Sequence, residues 1–313
     1  HNVAHSFPTR RSSDLKLATT PLDRIVRKKY AEATDLLRVL PFETIQGSAK
    51  RFNREKTMPT VAFRAVGGSY TPNNGDVDPQ YEGLFIAGGE LDVDTFIVAT
   101  GAPGTREQKE AEKIKVLAHS ISHALVKGDS FSTANTFDGM QVRATGARLL
   151  ANGSTSGGDV LSLAKVDEAI DLCPGANALI MSKATRRAFT RGIRGGLDSP
   201  VTYGRDEFGK QVTMYADLPI LIADGVDHLN QSLAFDEANP GGGSAVGTSI
   251  YVARIGSDGL HGIQHAPPTA KDLGELQSSP VFRTRIEWFV GLAQETEDCL
   301  VRLYGIKAGA AAA

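Results

Sequence analysis

At 313 residues, 41% of them hydrophobic, the chain is long enough for one large domain or two ordinary ones around a substantial core. Its 34 basic and 36 acidic residues leave the whole-chain field near neutral, which excludes an argument for nucleic-acid or membrane binding from charge alone. Cys173 and Cys299 lie far apart without CxxC spacing, so a disulfide framework and a zinc site are excluded and both read as buried thiols of a reducing compartment.

No apolar run reaches the roughly 18 residues that cross a bilayer, and the N-terminus lacks the charged-then-apolar plan of a signal peptide. Neither export nor a membrane anchor is therefore expected. Ser6 to Leu15, SFPTRRSSDL, is the translation of a stretch resembling a common sequencing-library adapter. Residues 1–15 are read as adapter-derived and set aside from fold reasoning.

From Pro21 to Leu40 the spacing of Leu22, Ile25, Val26, Tyr30, Ala33, Leu36, Leu37 and Leu40 predicts an amphipathic helix, with Arg24, Arg27, Lys28 and Lys29 on its basic face and Pro41 as its stop. Phe42 to Phe63 sustains neither period and carries Lys50, Arg51, Arg54 and Lys56, which suggests an extended basic arm. Between Ala65 and Thr105 there is no lysine or arginine, and Gly67, Gly68, Pro72, Gly75 and Pro79 break the chain among Asp76, Asp78, Glu82, Glu90, Asp92 and Asp94. The apolar stretches Thr60 to Val66 and Leu84 to Ala87 are expected to be the two strands of a long acidic hairpin with a mobile tip. A basic arm and an acidic hairpin in one chain are complementary between neighbouring copies, although solubility explains each half equally well.

Thr105 and Gln108 have capping-box spacing, and Ile114, Leu117, Ile121 and Leu125 recur at threes and fours until Gly128. These predict a helix of about six turns, longer than ~30 Å. Phe137-Asp138-Gly139 reads as a turn opening an α/β region. A helix is expected over Asp159–Leu172, a buried strand over Ala178–Met181, and a Ser182-capped helix through Arg194 bearing Arg186, Arg187, Arg191 and Arg194 as a solvated face. Strands are expected over Gln211–Tyr215, Ile220–Ala223, Ser249–Ile255 and Gly262–His265, and two more over Arg283–Leu292 and Glu297–Ile306. No internal repeat is present, which excludes solenoids and propellers.

Motifs for chemistry fail on their own terms. Gly101-Ala102-Pro103-Gly104-Thr105 precedes a helix as a phosphate loop would, but Thr105-Arg106-Glu107 stands where GK[ST] is required, so the glycines read as a strand-to-helix turn. His119 and His123 have metal-sharing spacing, yet Ser120 replaces the glutamate of HExxH; His261 and His265 share a strand face without further ligands. No GxSxG elbow is present. No catalytic, cofactor-binding or metal-ligating residue is expected.

Two segments carry a family resemblance. Ala124-Leu125-Val126-Lys127-Gly128-Asp129-Ser130, followed by Phe137-Asp138-Gly139-Met140, resembles the "NGD…FDGL" segment of one large group of tailed-phage major capsid proteins. Arg283-Thr284-Arg285-Ile286-Glu287-Trp288-Phe289-Val290-Gly291-Leu292-Ala293, with Gly305-Ile306 downstream, is similar to that group's closing "R.EWYVGLA…L.GI" strand. With the order of elements, the resemblance covers essentially residues 20–308. It implies an α+β chain of the Johnson, or Hong-Kong-97-like, capsid fold: N-terminal arm 16–60, E-loop hairpin 61–104, P domain with spine helix 105–140, A domain 141–265, and P-domain closing strands with a tail over 266–313.

In function the resemblance implies self-assembly into hexamers and pentamers of an icosahedral virion shell around packaged double-stranded DNA. Scaffolding protein and portal would be partners, no membrane would be involved, and assembly would take place in the host cytoplasm. Because the predicted hairpin lacks lysine, the isopeptide weld of some relatives is not expected. Two other readings compete: an encapsulin compartment of the same fold, which the FDG and EWFVGLA segments disfavour, and an enzyme built on the GAPG turn or the histidines.

Overall fold

The computed structural model describes residues 34–101, 104–156, 158–194, 201–205, 211–224, 232–240, 242 and 246–309. In chain order, the first half holds α1 (Asp35–Val39), β1 (Phe42–Thr44), β2 (Ala49–Thr57), β3 (Asp76–Gly83), β4 (Phe85–Asp94), α2 (Thr95–Thr100), α3 (Thr105–Lys127), α4 (Met140–Arg143) and β5 (Leu149–Ala151). The second half holds α5 (Leu163–Asp171), β6 (Ala178–Met181), α6 (Lys183–Arg194), β7 (Val201–Arg205), β8 (Gln211–Tyr215), β9 (Leu218–Ile222), β10 (Glu237–Ala238), β11 (Val246–Ala253), β12 (Leu260–Gln264), β13 (Thr269–Glu275), β14 (Val281–Gln294) and β15 (Leu300–Ile306).

The first sheet is organised by β14. One of its edges carries all of β4, in register from Val281 opposite Asp94 to Val290 opposite Phe85. The other carries β13 and then β12, beyond which β1 adds in parallel. The second sheet runs β5-β15-β11-β6-β9-β8-β7, with β10 on β11. A separate two-stranded hairpin is formed by β2 and β3.

The spine helix α3 ends as expected at Gly128, whose N–H donates to the Ala124 carbonyl at 2.8 Å. It begins differently. Gly104 occupies the cap position at φ 90°, so Thr105 is the first helical residue and the anticipated capping box does not form. A glycine takes this left-handed position without the steric cost a side chain would bring. The GAPG segment therefore joins α2 to α3, helix to helix and not strand to helix. At the other end, the Gly139 N–H donates to the Gly128 carbonyl at 2.8 Å, and a Cβ on Gly139 would lie 2.6 Å from the Ala124 oxygen. Asp138 Oδ1 accepts from the Ser130 N–H at 2.9 Å, which closes the FDG turn back onto the end of the spine.

The core has two halves separated by the second sheet. Ala178 and Ile180 of β6, with Tyr251 and Ala253 of β11, join the cluster containing Ile114, Ile121 and Leu125 of the spine. The alternate residues Leu179, Met181, Ile250 and Val252 pack instead with Val166 of α5 and Phe189 of α6. Successive strand residues point to opposite faces, so a strand covered on both sides reads as one apolar run.

Several boundaries move. Thr34 is extended and caps α1 through Oγ1, which accepts from the Leu37 N–H at 3.2 Å, so a helix starts at Asp35; the earlier part of the predicted Pro21–Leu40 helix, with its basic face, lies outside the described residues, as does the adapter-like segment 1–15. The hairpin is displaced upstream: its strands are β2 and β3, and Thr60–Val66 is not a strand. The expected arm thus supplies one strand of the hairpin, and Lys50 and Lys56 stand on it, which removes the premise for expecting no weld. Leu84–Ala87 proves to be the start of the longer β4, which belongs to the first sheet. Within it, a Cβ on Gly88 would sit 2.6 Å from the Ile286 carbonyl, so the glycine permits the close approach of β14.

The predicted Asp159 helix begins only at Leu163. Strand β13, TAKDLGE, gives no apolar alternation and was not expected; pairing with β14 creates it. Glu297–Cys299 forms a 3-10 turn, and β15 then inserts between β11 and β5 of the second sheet. Conversely, β12 belongs to the first sheet, so neither side of a boundary at 265 is homogeneous.

Candidate assembly surfaces

The β2–β3 hairpin places basic and acidic strands against each other within one chain. Lys50 lies opposite Glu82, Arg54 opposite Asp78, and Arg51 opposite Tyr81, with the Arg51 guanidinium 5.6 Å from the Tyr81 ring centre. The acidic residues of β4 are likewise satisfied internally. Arg285 stands directly opposite Glu90, and Nη2 donates to Oε1 at 2.6 Å; Arg283 stands opposite Asp92 and also reaches Glu90 at 2.9 Å. Glu82, Glu90 and Asp92 are therefore paired with arginines of the same chain.

The hairpin is fastened at its base. Glu82 of β3 receives both arms of Arg143, with Nη2 to Oε2 at 2.8 Å, and the same guanidinium donates to the Leu292 carbonyl at 3.0 Å and the Asp138 carbonyl at 2.7 Å. Arg54 of β2 donates to the Gln294 carbonyl at 2.7 Å and lies 3.7 Å from Glu297. Lys50 inserts between β1 and the end of β14: Nζ donates to Glu43 at 2.7 Å and Glu295 at 2.6 Å, and lies 3.0 Å from His261 Nε2. Sequence reasoning missed this cluster because its four members come from different elements and no spacing joins them.

Beyond that base several large apolar side chains are exposed. Met58, Val61, Phe63, Val66 and Tyr70 lie in the turn between β2 and β3, and Phe63 and Val66 are as exposed as in an extended peptide, at 105%. Helix α2, TFIVAT, buries no residue and presents Phe96, Ile97 and Val98. An extended segment and a helix that both offer large side chains to water are interaction surfaces by physical default.

The spine is tied to the first sheet by Arg106, whose Nε donates to Glu110 at 3.1 Å while Nη2 reaches Thr284 at 3.1 Å and Asp272 at 2.7 Å. That hydrogen bond from Arg106, with a second from the Gly274 N–H, holds the Asp272 carboxyl below its usual range. At the far end Lys127 pairs with Asp236 at 2.5 Å, and Glu237 beneath it accepts from Arg302 at 2.8 Å.

Motif residues singled out in the sequence do not converge. His119 is buried and His123 exposed, so their helical spacing does not make a shared site. His261 is buried at the hairpin base while His265 is exposed beside the Phe289 ring. Among the described residues no group of three or more His, Cys, Asp or Glu side chains is arranged to hold a metal. Arg187 and Arg191 are exposed and Arg186 half-buried, which agrees with a solvated face of α6; the side chain of Arg194 lies outside the described residues. Trp288 is buried, whereas the adjacent Phe289 is 37% exposed because the strand turns alternate residues to the other face. Cys173 and Cys299 are buried thiols as expected; burial and the nearby Cys299 push the Cys173 thiol up to about 12.

No family model and no curated protein matches the chain. Solved structures do. An encapsulin from Synechococcus elongatus PCC 7942, solved as its holo complex, superposes with a TM-score of 0.64 at 16% identity, over 97% of this chain and 98% of its own. The capsid of a native GTA particle gives 0.62 at 12% identity, over 87% and 90% of the two chains. The capsid of cyanophage P-SCSP1u gives 0.57 at 12% identity, over 90% and 89%. The chain therefore has the α+β Johnson fold, shared over nearly its whole length at 12–16% identity.

Proposed function

We propose that the chain is the major capsid protein of a tailed bacteriophage, a subunit that assembles with copies of itself into the icosahedral virion shell around double-stranded DNA. The observation that carries this reading is the hairpin: a long projection fixed by ion pairs at its base and apolar at its end, on a fold that recurs in capsids and an encapsulin. In a lone subunit Phe63 and Val66 would remain in water, whereas a neighbouring copy could cover them. In this reading residues 49–83 are the E-loop, α3 is the spine, the first sheet with the spine is the P domain, and the second sheet with α5 and α6 is the A domain. Scaffolding protein and portal are the expected additional partners.

An encapsulin-type compartment is the second reading, supported by the 97% and 98% mutual coverage with the Synechococcus shell. The FDG and EWFVGLA segments favour the phage reading, because they resemble segments of a phage group in the same order. An enzymatic reading would rest on the GAPG turn and the histidine pairs; among the described residues each pair has one buried and one exposed histidine.

The test is sedimentation and negative-stain microscopy of the chain expressed from residue 16, at low and moderate salt, followed by analysis of the contents of native particles. Closed shells or rings of five and six support a shell protein, and nuclease-protected double-stranded DNA inside native particles supports the phage. Protein cargo without DNA would favour the encapsulin. A small oligomer that never assembles, even beside a candidate scaffold, would sink both.

A further inference from the structure

The hairpin base contains a buried histidine. His261 is 1% exposed and sits on β12, where its Nε2 faces the ammonium of Lys50 at 3.0 Å. An ammonium has only protons to offer, so the imidazole nitrogen must be the acceptor and the ring is neutral with its proton on Nδ1. Lys50 thereby places its three protons on three acceptors from three places: Glu43 of β1, Glu295 just past β14, and His261 of β12.

We propose that Lys50, Glu43, Glu295 and His261 form a proton-sensitive latch, which fastens the base of the β2–β3 hairpin to the first sheet while His261 is neutral and releases it when His261 takes a proton. Protonation at Nε2 removes one of the three acceptors and sets an imidazolium against an ammonium at hydrogen-bond distance. Lys50 is the mobile partner of that pair, and its strand is the hairpin's own.

The charged groups facing the ring come from every element packed on it. Lys50 opposes protonation at 3.0 Å; Glu43 and Glu295 favour it from 3.4 Å and 3.8 Å, although both already bind Lys50. Arg54, the next cation on the same face of β2, is occupied by the Gln294 carbonyl and by Glu297. Burial, followed by Lys50, holds the ring's proton affinity below the ordinary imidazole value of 6.5, against the pull of the two carboxylates and a Gly259 backbone hydrogen bond. The sign follows. A released His261 regains the ordinary affinity, so release takes up a proton, and the latch is complete above about pH 6.5 and weakens as pH falls below it. The second fastening, Arg143 on Glu82, lies on β3 and makes no contact with His261, so release loosens β2 at its base while β3 stays held.

Hydrogen exchange of the full chain at pH 7.5 and 5.5, with labelling times corrected for intrinsic rates, reads the latch directly. Peptides covering 49–57 should lose protection several-fold at pH 5.5, while the spine peptide 105–127 is unchanged. In His261→Gln, whose amide oxygen still accepts from Lys50 but cannot titrate, the acid loss should disappear. Lys50→Met should be loose at both pH values. Unchanged protection of 49–57 in the parent chain, equal loosening of the spine, or the same acid response in His261→Gln would each overturn the proposal. If Lys50→Met does not fold, the glutamine variant decides alone. The measurement concerns the subunit itself and stands apart from what the subunit builds.

Discussion

Arg283 grips Asp92 with both arms across the β14–β4 ladder, Nε to Oδ1 at 2.7 Å and Nη2 to Oδ2 at 2.6 Å, from directly opposed positions in the two strands. The guanidinium's parallel donors match the carboxylate's geometry. The Arg283 hydrogen bond holds the Asp92 carboxyl below its usual value of 3.8. The brace is therefore fully present above that value and is lost only as pH falls through the lowered one. In a titration of aspartate labelled with carbon-13 at the carboxyl, Asp92 should be among the last to protonate, and Arg283→Gln should return it to the ordinary range.

Trp288 is 1% exposed, stacks at a tilt against Phe42 with ring centres 4.9 Å apart, and donates from Nε1 to Gln264 Oε1 at 3.1 Å. Trp288→Ala should cost about 3–5 kcal/mol, since the cavity lies between strands that cannot both collapse into it. Trp288→Phe should cost less while leaving the Gln264 acceptor unpaired. Urea unfolding followed by far-UV circular dichroism checks both, because the chain's one tryptophan is removed.

Phe63 and Val66 touch water over their whole surface in the subunit, so replacing both with serine should leave the stability of the subunit within about 0.5 kcal/mol. Assembly should suffer instead. Sedimentation velocity of the double variant should show subunits or small oligomers under conditions where the parent chain forms shells. Unimpaired shells would remove the hairpin end from the contact.

The two thiols should be silent toward maleimide at pH 7.5. The thiolate is the reactive form, both side chains are buried, and burial together with the neighbouring Cys299 raises Cys173 to about 12, while burial raises Cys299 as well. Mass spectrometry should find no adduct on the folded chain and two adducts in urea; rapid labelling of the native chain would show that the core half holding the labelled thiol opens.

Local pattern determined a good part of this protein. The spine was legible because Ile114, Ile121 and Leu125 recur at helical spacing and Gly128 ends them, and β6 because Ala178–Met181 is a short apolar run. The Gly128 and Gly139 positions were legible as a motif, and the structure supplies the reason: backbone atoms pass where a Cβ would stand. What sequence did not reveal depends on partners distant in the chain. β13 exists because β14 offers it an edge, Gly88 belongs inside a strand because β14 passes close, and the hairpin pairs β2 with β3 although neither alternates cleanly.

The candidate surfaces divide in the same way. Acidic and basic segments were visible, but only the tertiary structure decided that Arg283 and Arg285 neutralise β4 within the chain, and that Lys50 meets Glu43, Glu295 and His261. The physical reason is the range of each signal. Helical and strand periods are written over a few successive residues, whereas an ion pair such as Lys50–Glu295 joins residues 245 positions apart, which only the folded chain brings to 2.6 Å.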